Sequence, residues 1–376
     1  MVLSIASGRT RQVLCLAGFA LLALAAHLLT LQAGYRTLEK YEPDWTTIGL
    51  VRLTVSAVAA LLLMAALRQF GGQQPVQGDL PGWLFVAMWT ASFLLLYAAA
   101  LAVIYWPDQL EHHVREGDFL SIMTEVLFVA ALVFLCIAAR RARHVRTERL
   151  FGLGAPLIIM AIAAVAFIVL MEEASWGQHW IGWATPGIFE GNLQNETNLH
   201  NFYTYRFEMA YYSAAIIAFV LLPYAWPAEP PRALRGASLF VPPPLFAVAF
   251  LPLSGFMYFN WNWVFFGIWF VASLFIAVDI ARRATGPGTV SGSLVMGAML
   301  VLSQVIFLMR GETLAWGHEL TEVREFAIAI GVLGYSVMLW RRVVALRARS
   351  AESGAVHPAS VPAPAPQEAG HGKLRR

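Results

Sequence analysis

Charge is what this sequence has least of. Only 13% of its 376 residues are Asp, Glu, Lys or Arg, and 59% are hydrophobic; soluble domains carry roughly 25% charged residues. A soluble domain is excluded on that ground, and nothing resembles a nucleic-acid module, so no nucleic acid is expected as a partner. Cysteine is nearly missing as well. Cys15 and Cys136 each lie inside an apolar run, which leaves no disulfide framework and no CxxC metal spacing. Also absent are HExxH, HxxxH and ExxH, the spacings by which helices commonly present zinc ligands.

Long apolar runs are what the chain does have. A hydrocarbon core of about 30 Å takes roughly 20 apolar residues per helix. Ten segments qualify: 12–34, 47–68, 83–105, 119–139, 151–171, 207–226, 239–258, 261–281, 291–310 and 323–342. The first follows Arg9 and Arg11 but is too long for a typical signal-peptide core, so it reads as a retained span. The fold class expected is all-α, a polytopic transmembrane helix bundle of about ten spans over residues 1–350. Residues 351–376, rich in Ala, Pro, Ser and Gly, read as a disordered cytoplasmic tail.

Basic residues give an orientation. "ARRARHVRTER", "PPRALRG", "ARRATG" and "WRRVVALRAR" fall on alternate connections, on the same side as Arg9, Arg11 and Arg68. The opposite loops are mixed or acidic. An N-in, C-in topology follows, and it puts "MEEASWGQHW" (171–180), "NLQNETNLHN" (192–201), "FNWNW" and "RGETLAWGHELTE" (310–322) on the outer face. Arg52, Glu125, Gln304 and His27 fall in the outer halves of their spans, and Asp279 at an inner end. Ionisable groups inside a membrane are costly and face partners or water, so this convergence marks a site.

Read as a helix, 172–183 puts Glu172, Ser175, Trp176, His179, Trp180 and Trp183 on one half and the small residues on the other. A tryptophan belt at the interface explains the indoles but not the doubled Glu172 and Glu173. In the second cluster Asn195 can cap a helix that sets Glu196 and His200 at i,i+4, with Gln194, Asn198 and Asn201 nearby. The third cluster repeats the first, E-T-L-A-W-G-H over E-E-A-S-W-G-Q, and adds Arg310, Glu312, Trp316 and the pair His318 and Glu322. Neighbouring carboxylates drive each other's pKa values apart, as acid–base chemistry requires. Glu172, Glu173, Glu196, His200, Glu312 and His318 are therefore the catalytic candidates. Trp176, Gln178, Asn198, Asn201, Arg310 and Trp316 are the substrate-binding ones. Several such Glu and His side chains could instead hold a divalent metal. A Ser-His-carboxylate triad needs its serine on a sharp strained turn, whereas Ser175 reads as part of a helical face.

The pair "EEASWGQ" and "NLQNETNLHN" resembles a family of bacterial multipass proteins of unassigned function, with E-E-x-S-W-G-Q followed by N-x-Q-x-E-T-N-L-H-N. The resemblance covers roughly 170–206 and implies a multi-pass protein of the bacterial cell inner membrane. Ser175 and His179 are also similar to the Ser-x-x-x-His of membrane-embedded ceramidase-like hydrolases, whose His-x-x-x-His is absent here.

The function expected is a membrane-embedded hydrolase or transferase acting on a membrane lipid or lipid-linked sugar at the periplasmic leaflet. A transporter, or a structural subunit whose polar face binds a protein partner in a membrane complex, is the alternative. The topology is checked by cysteine labelling from outside intact cells in a Cys-free background. Asn195→Cys should label and Arg146→Cys should not; the reverse overturns the orientation.

Overall fold

A computed structural model of the chain describes residues 8–36, 44–71, 75–107, 118–145, 149–192, 195–256, 263–310 and 319–355. Over these residues the chain is all-α, a polytopic bundle without a strand. The long helices are α1 (Gly8–Gln32), α2 (Thr47–Gly71), α3 (Gly82–Tyr105), α4 (Phe119–Ala142) and α5 (Ala155–Glu173). They are followed by α6 (Thr204–Ile216), α7 (Pro244–Phe250), α8 (Val264–Arg283), α9 (Pro287–Met309) and α10 (Glu319–Ala355). Among the described residues nine helices are long and apolar enough to cross a membrane, or up to ten if one bent pair counts as a span.

Each helix sits where the apolar runs put it, and local chemistry sets its ends. Pro156 and Pro287 lie in the first turns of α5 and α9, where a missing N–H costs nothing. Arg140, Arg141, Arg282 and Arg283 close α4 and α8, where cations offset the helix dipole. Helix α10 runs to Ala355, five residues past the expected bundle boundary; the rest of the tail lies outside the described residues.

The seventh expected span, 239–258, is not continuous. Arg232–Leu239 and Pro244–Ser254 are bent by 53° at the break. "VPPPLF" (241–246) explains it, because each proline lacks a donor and excludes a helical predecessor. The segment from Pro244 to Ser254 is nonetheless buried throughout. Phe246 and Phe250 pack with tilted rings against Phe219 of a π-helical turn, Ile217–Leu221, that carries α6 on to Ala225. Pro223 in that continuation accounts for the irregular turn.

Two groups of buried side chains make the core. One joins α4, α5 and α10 through Phe128, Leu135, Ile159 and Leu339. The other joins the remaining helices around α7. At the arginine-rich end, Arg342 of α10 forms a clamp. Its Nε and Nη2 donate to the two oxygens of Asp79 at 2.7 and 2.6 Å, and Nη1 donates to the Leu239 and Val241 carbonyls at 3.0 and 2.7 Å. Burial acts to raise the Asp79 pKa, but the hydrogen bonds and charge of Arg342, with Arg349, outweigh it and hold the carboxyl below its ordinary value.

Arg342→Ala should lower the melting temperature in detergent at neutral pH, since loss of charged hydrogen bonds costs about 2 kcal/mol. A carboxyl with a lowered folded pKa contributes stability above its unfolded value, roughly 4, and loses it as pH falls through the folded value. The gap between wild type and variant should therefore narrow below about pH 4. A gap that is constant with pH would show that Asp79 is not the partner.

Candidate functional site

The helix drawn through 172–183 from sequence does not form. Helix α5 ends at Glu173, and Ser175, Trp176 and Gly177 then adopt φ of 45°, 55° and 93° before one helical turn, Gln178–Ile181. Three consecutive residues in the left-handed region, two of them not glycine, make a strained turn. The shared face of Glu172, Ser175, Trp176 and Trp180 is lost with it: Ser175 is wholly buried and Trp176 is 40% exposed. Ser175 thus does lie on a sharp turn, contrary to the helical reading. The helix expected from Asn195 is also missing. Asn195 has φ 56°, and a short 3-10 turn, His200–Phe202, precedes α6.

What replaces these helices is a hydrogen-bonded knot between the two motifs. Glu172 lies at its centre. Its Oε1 accepts from Trp176 Nε1 at 2.8 Å, and its Oε2 accepts from the Leu199 and His200 backbone N–H at 2.8 and 3.1 Å. His200 Nδ1 lies 3.4 Å from Oε2, close enough for charge attraction though not aligned for a hydrogen bond. Glu196 Oε2 accepts from Ser175 Oγ at 2.7 Å and from Asn198 Nδ2 at 3.0 Å. Asn198 Nδ2 also donates to Ser175 Oγ at 3.0 Å, and Asn192 Nδ2 donates to the Glu196 carbonyl at 2.6 Å. Gln178 Oε1 accepts from the Thr197 N–H at 2.6 Å, and its Nε2 donates to Thr185 at 2.9 Å. Trp180 ties the knot to α4 through Glu125, at 2.7 Å. Asn201 is buried beside it.

The structure therefore brings Glu172, Trp176, Gln178, Glu196, Asn198 and His200 together. It also shows many of their lone pairs and protons spent on each other, although Asn198 Oδ1 and His200 Nδ1 are buried without a hydrogen bond. Glu172 and Glu196 hold backbone and side-chain donors, which is positioning work. Arg310 is exposed at the end of α9 and joins none of these bonds. Glu312, Trp316 and His318, and with them the repeat, lie outside the described residues, as does the side chain of His179. Arg52 does not converge on the site but reaches Asp44, at 3.9 Å. Among the described residues no group of three His, Cys, Asp or Glu side chains is arranged to hold a metal ion.

Directly beneath the knot lies a second cluster, and most of it was not anticipated. The carboxyl of Glu173 on α5 lies within hydrogen-bonding reach of the Glu325 carboxyl on α10. Tyr212 Oη donates to Glu325 Oε1 at 3.0 Å. Arg324, 1% exposed, lies 3.7 Å from Glu208 and 4.2 Å from the Tyr212 ring centre, and donates to the Phe256 carbonyl at 3.4 Å. The Tyr211 hydroxyl is buried with no hydrogen-bond partner, and Glu173 and Glu325 act on it electrostatically. The sequence signal was present: Arg324 and Glu325 sit inside the apolar span 323–342, and Glu208 inside 207–226. Each is the kind of intramembrane charge that marks a functional site.

Comparison with protein-family models, curated proteins and solved structures finds no match.

Glu172→Gln is not a neutral substitution in this setting. It replaces one acceptor oxygen with a donor facing Trp176 Nε1 or two backbone N–H groups, leaving buried donors unpaired at on the order of 2 kcal/mol. Limited proteolysis in detergent should cleave 183–200 faster in Glu172→Gln than in wild type, and Trp176→Phe should have a smaller effect. Equal rates for Glu172→Gln and wild type would show that the knot does not depend on this carboxylate.

Proposed function

We propose that the protein is a membrane-embedded enzyme acting on a lipid or lipid-linked substrate, with Glu173 and Glu325 as its acid–base pair. The observation that carries this reading is the approach of those two carboxyls to within hydrogen-bonding reach of each other. Two carboxyl oxygens share a hydrogen bond only when one of them bears a proton. Such a pair supplies an acid and a base at one place, which is the requirement of general acid–base catalysis. Glu208, with Arg324 beside it, His200 and the Tyr212 hydroxyl surround the pair and set its charge balance.

Depth supports a lipid. Glu173 ends α5, and Glu325 lies in the second turn of α10. That is the level at which a headgroup meets the hydrocarbon, and Trp176, Trp180 and Trp183 gather there as interfacial tryptophans do. With the arginine-rich connections inside, this is the periplasmic leaflet of a bacterial inner membrane. Glu172, Glu196 and Asn198 act here as positioning residues, because they lock the loop that carries His200. Transport has one feature in its favour, the broken segment 232–254. Its buried arm offers almost no polar side chain for a substrate: Pro244 to Leu253 are all apolar, and only Ser254 follows.

The lipids of a deletion strain decide the matter. A lipid that accumulates in the deletion should return to normal with the wild-type gene, and not with Glu173→Gln or Glu325→Gln at equal abundance. Full restoration by both variants would end the enzyme reading.

A further inference from the structure

The face of α5 that carries Glu173 continues below it as Val169, Val165 and Ile162, at helical spacing. The face of α10 below Glu325 continues as Ile328, Val332 and Tyr335. All six apolar residues line one groove of about 690 Å³. Its other wall is α6, through Tyr211, Ala214, Ala218 and Leu222, with Glu208 one turn above Tyr211. The groove thus lies between α5 and α6, has α10 as its floor, and reaches Tyr211, on which the Glu173 and Glu325 carboxyls act electrostatically.

Its side is open. Val165 is 63% exposed and Leu222 37%, while the deeper residues Ala166 of α5, Ala215 of α6 and Ile328 of α10 are 6%, 6% and 2% exposed. A slot with a dry floor and an open flank, set among membrane-spanning helices, faces bilayer hydrocarbon. From Tyr211 to Trp226, both of which line it, fifteen residues at 1.5 Å each give about 22 Å. One leaflet contributes about half of a 30 Å core, so the slot runs past the midplane. Ordinary lipid tails packed around a smooth helix surface need no such depth.

The Tyr211 end has its own chemistry. The Tyr211 hydroxyl is buried there without a partner, beside two carboxyls and at the top of an otherwise apolar wall. A buried hydroxyl left unpaired is costly, and a ligand bearing a donor or acceptor at that level satisfies it. Carboxyl oxygens in the same place favour a head that donates hydrogen bonds, a hydroxyl or an amine, over a bare phosphate.

We infer that the groove between α5 and α6 is the slot for one long hydrocarbon chain of a membrane lipid, entering sideways and presenting a hydrogen-bond-donating head to Glu173, Glu325 and Tyr211. This rests on the enzyme reading only in making that lipid the substrate; the slot itself binds without turnover. An acyl chain and a polyprenyl chain share the required chemistry, and the length favours the longer.

Photo-crosslinking tests the slot on the purified full-length protein in nanodiscs. Two probes are compared, each with one diazirine-bearing chain and a hydroxyl head: a monoacylglycerol and a polyprenol. Labels from at least one probe should concentrate in 162–169 and 214–222, several-fold above those in lipid-facing α1, and compete out with the unlabelled lipid. The probe that labels identifies the chain. Ala218→Phe, which fills the slot, should lower the signal several-fold; if that variant fails to accumulate, the wild-type map decides alone. Labels spread evenly over all lipid-facing helices with both probes would leave only boundary lipid and overturn the slot. Because no turnover is needed, an evenly labelled protein whose Glu325→Gln variant is still inactive in cells loses the slot alone. A labelled groove in a protein whose Glu173→Gln and Glu325→Gln variants work normally loses the enzyme reading alone.

Discussion

One carboxylate organises the end of this bundle. Glu172 leaves the last turn of α5 and gathers Trp176 from its own chain direction and two backbone N–H groups from the loop before α6. That bracket helps to fix the strained turn Ser175–Gly177, because backbone in the left-handed region persists only where its surroundings hold it. Glu196 adds a second bracket through Ser175 and Asn198. The motifs are dense in Asn, Gln, Glu and Trp because a loop at a membrane interface must satisfy its backbone without a helix, and these side chains do it.

This reassigns labour among the polar residues. Saturated carboxylates such as Glu172 and Glu196 make poor proton shuttles, since moving a proton would break several bonds at once. Glu173, turned down into the bundle rather than out into the knot, meets Glu325 in a region where charge is costly. The two neighbouring glutamates at the end of α5 therefore have different work, one structural and one, in the proposal, chemical. Below Glu173 the same helical face becomes a wall of the apolar slot.

The bundle was legible in the sequence because hydropathy is a strong, local signal: nine of the ten expected segments correspond to long apolar helices. The remaining one, 239–258, is broken at "VPPPLF" and counts as a span only if the bent pair there is taken as one, because a proline run interrupts even a long apolar helix. Both motifs were legible as a site, and they do fold against each other. Their geometry was not, because positive φ at Ser175, Trp176 and Asn195 comes from tertiary hydrogen bonds that no propensity records. Arg324 and Glu325 escaped notice at the start of an apolar span, where charges read as a flank. Their partners, Glu173 of α5 and Glu208 and Tyr212 of α6, are more than a hundred residues away in sequence.

The proton between Glu173 and Glu325 is the point on which the proposal turns, and infrared spectroscopy reports it directly. Wild type at neutral pH should show a protonated-carboxyl C=O stretch that disappears in Glu173→Gln and in Glu325→Gln, and that persists in Glu196→Gln. A spectrum in which neither substitution removes such a band would mean that no proton is shared there and would contradict the acid–base pair.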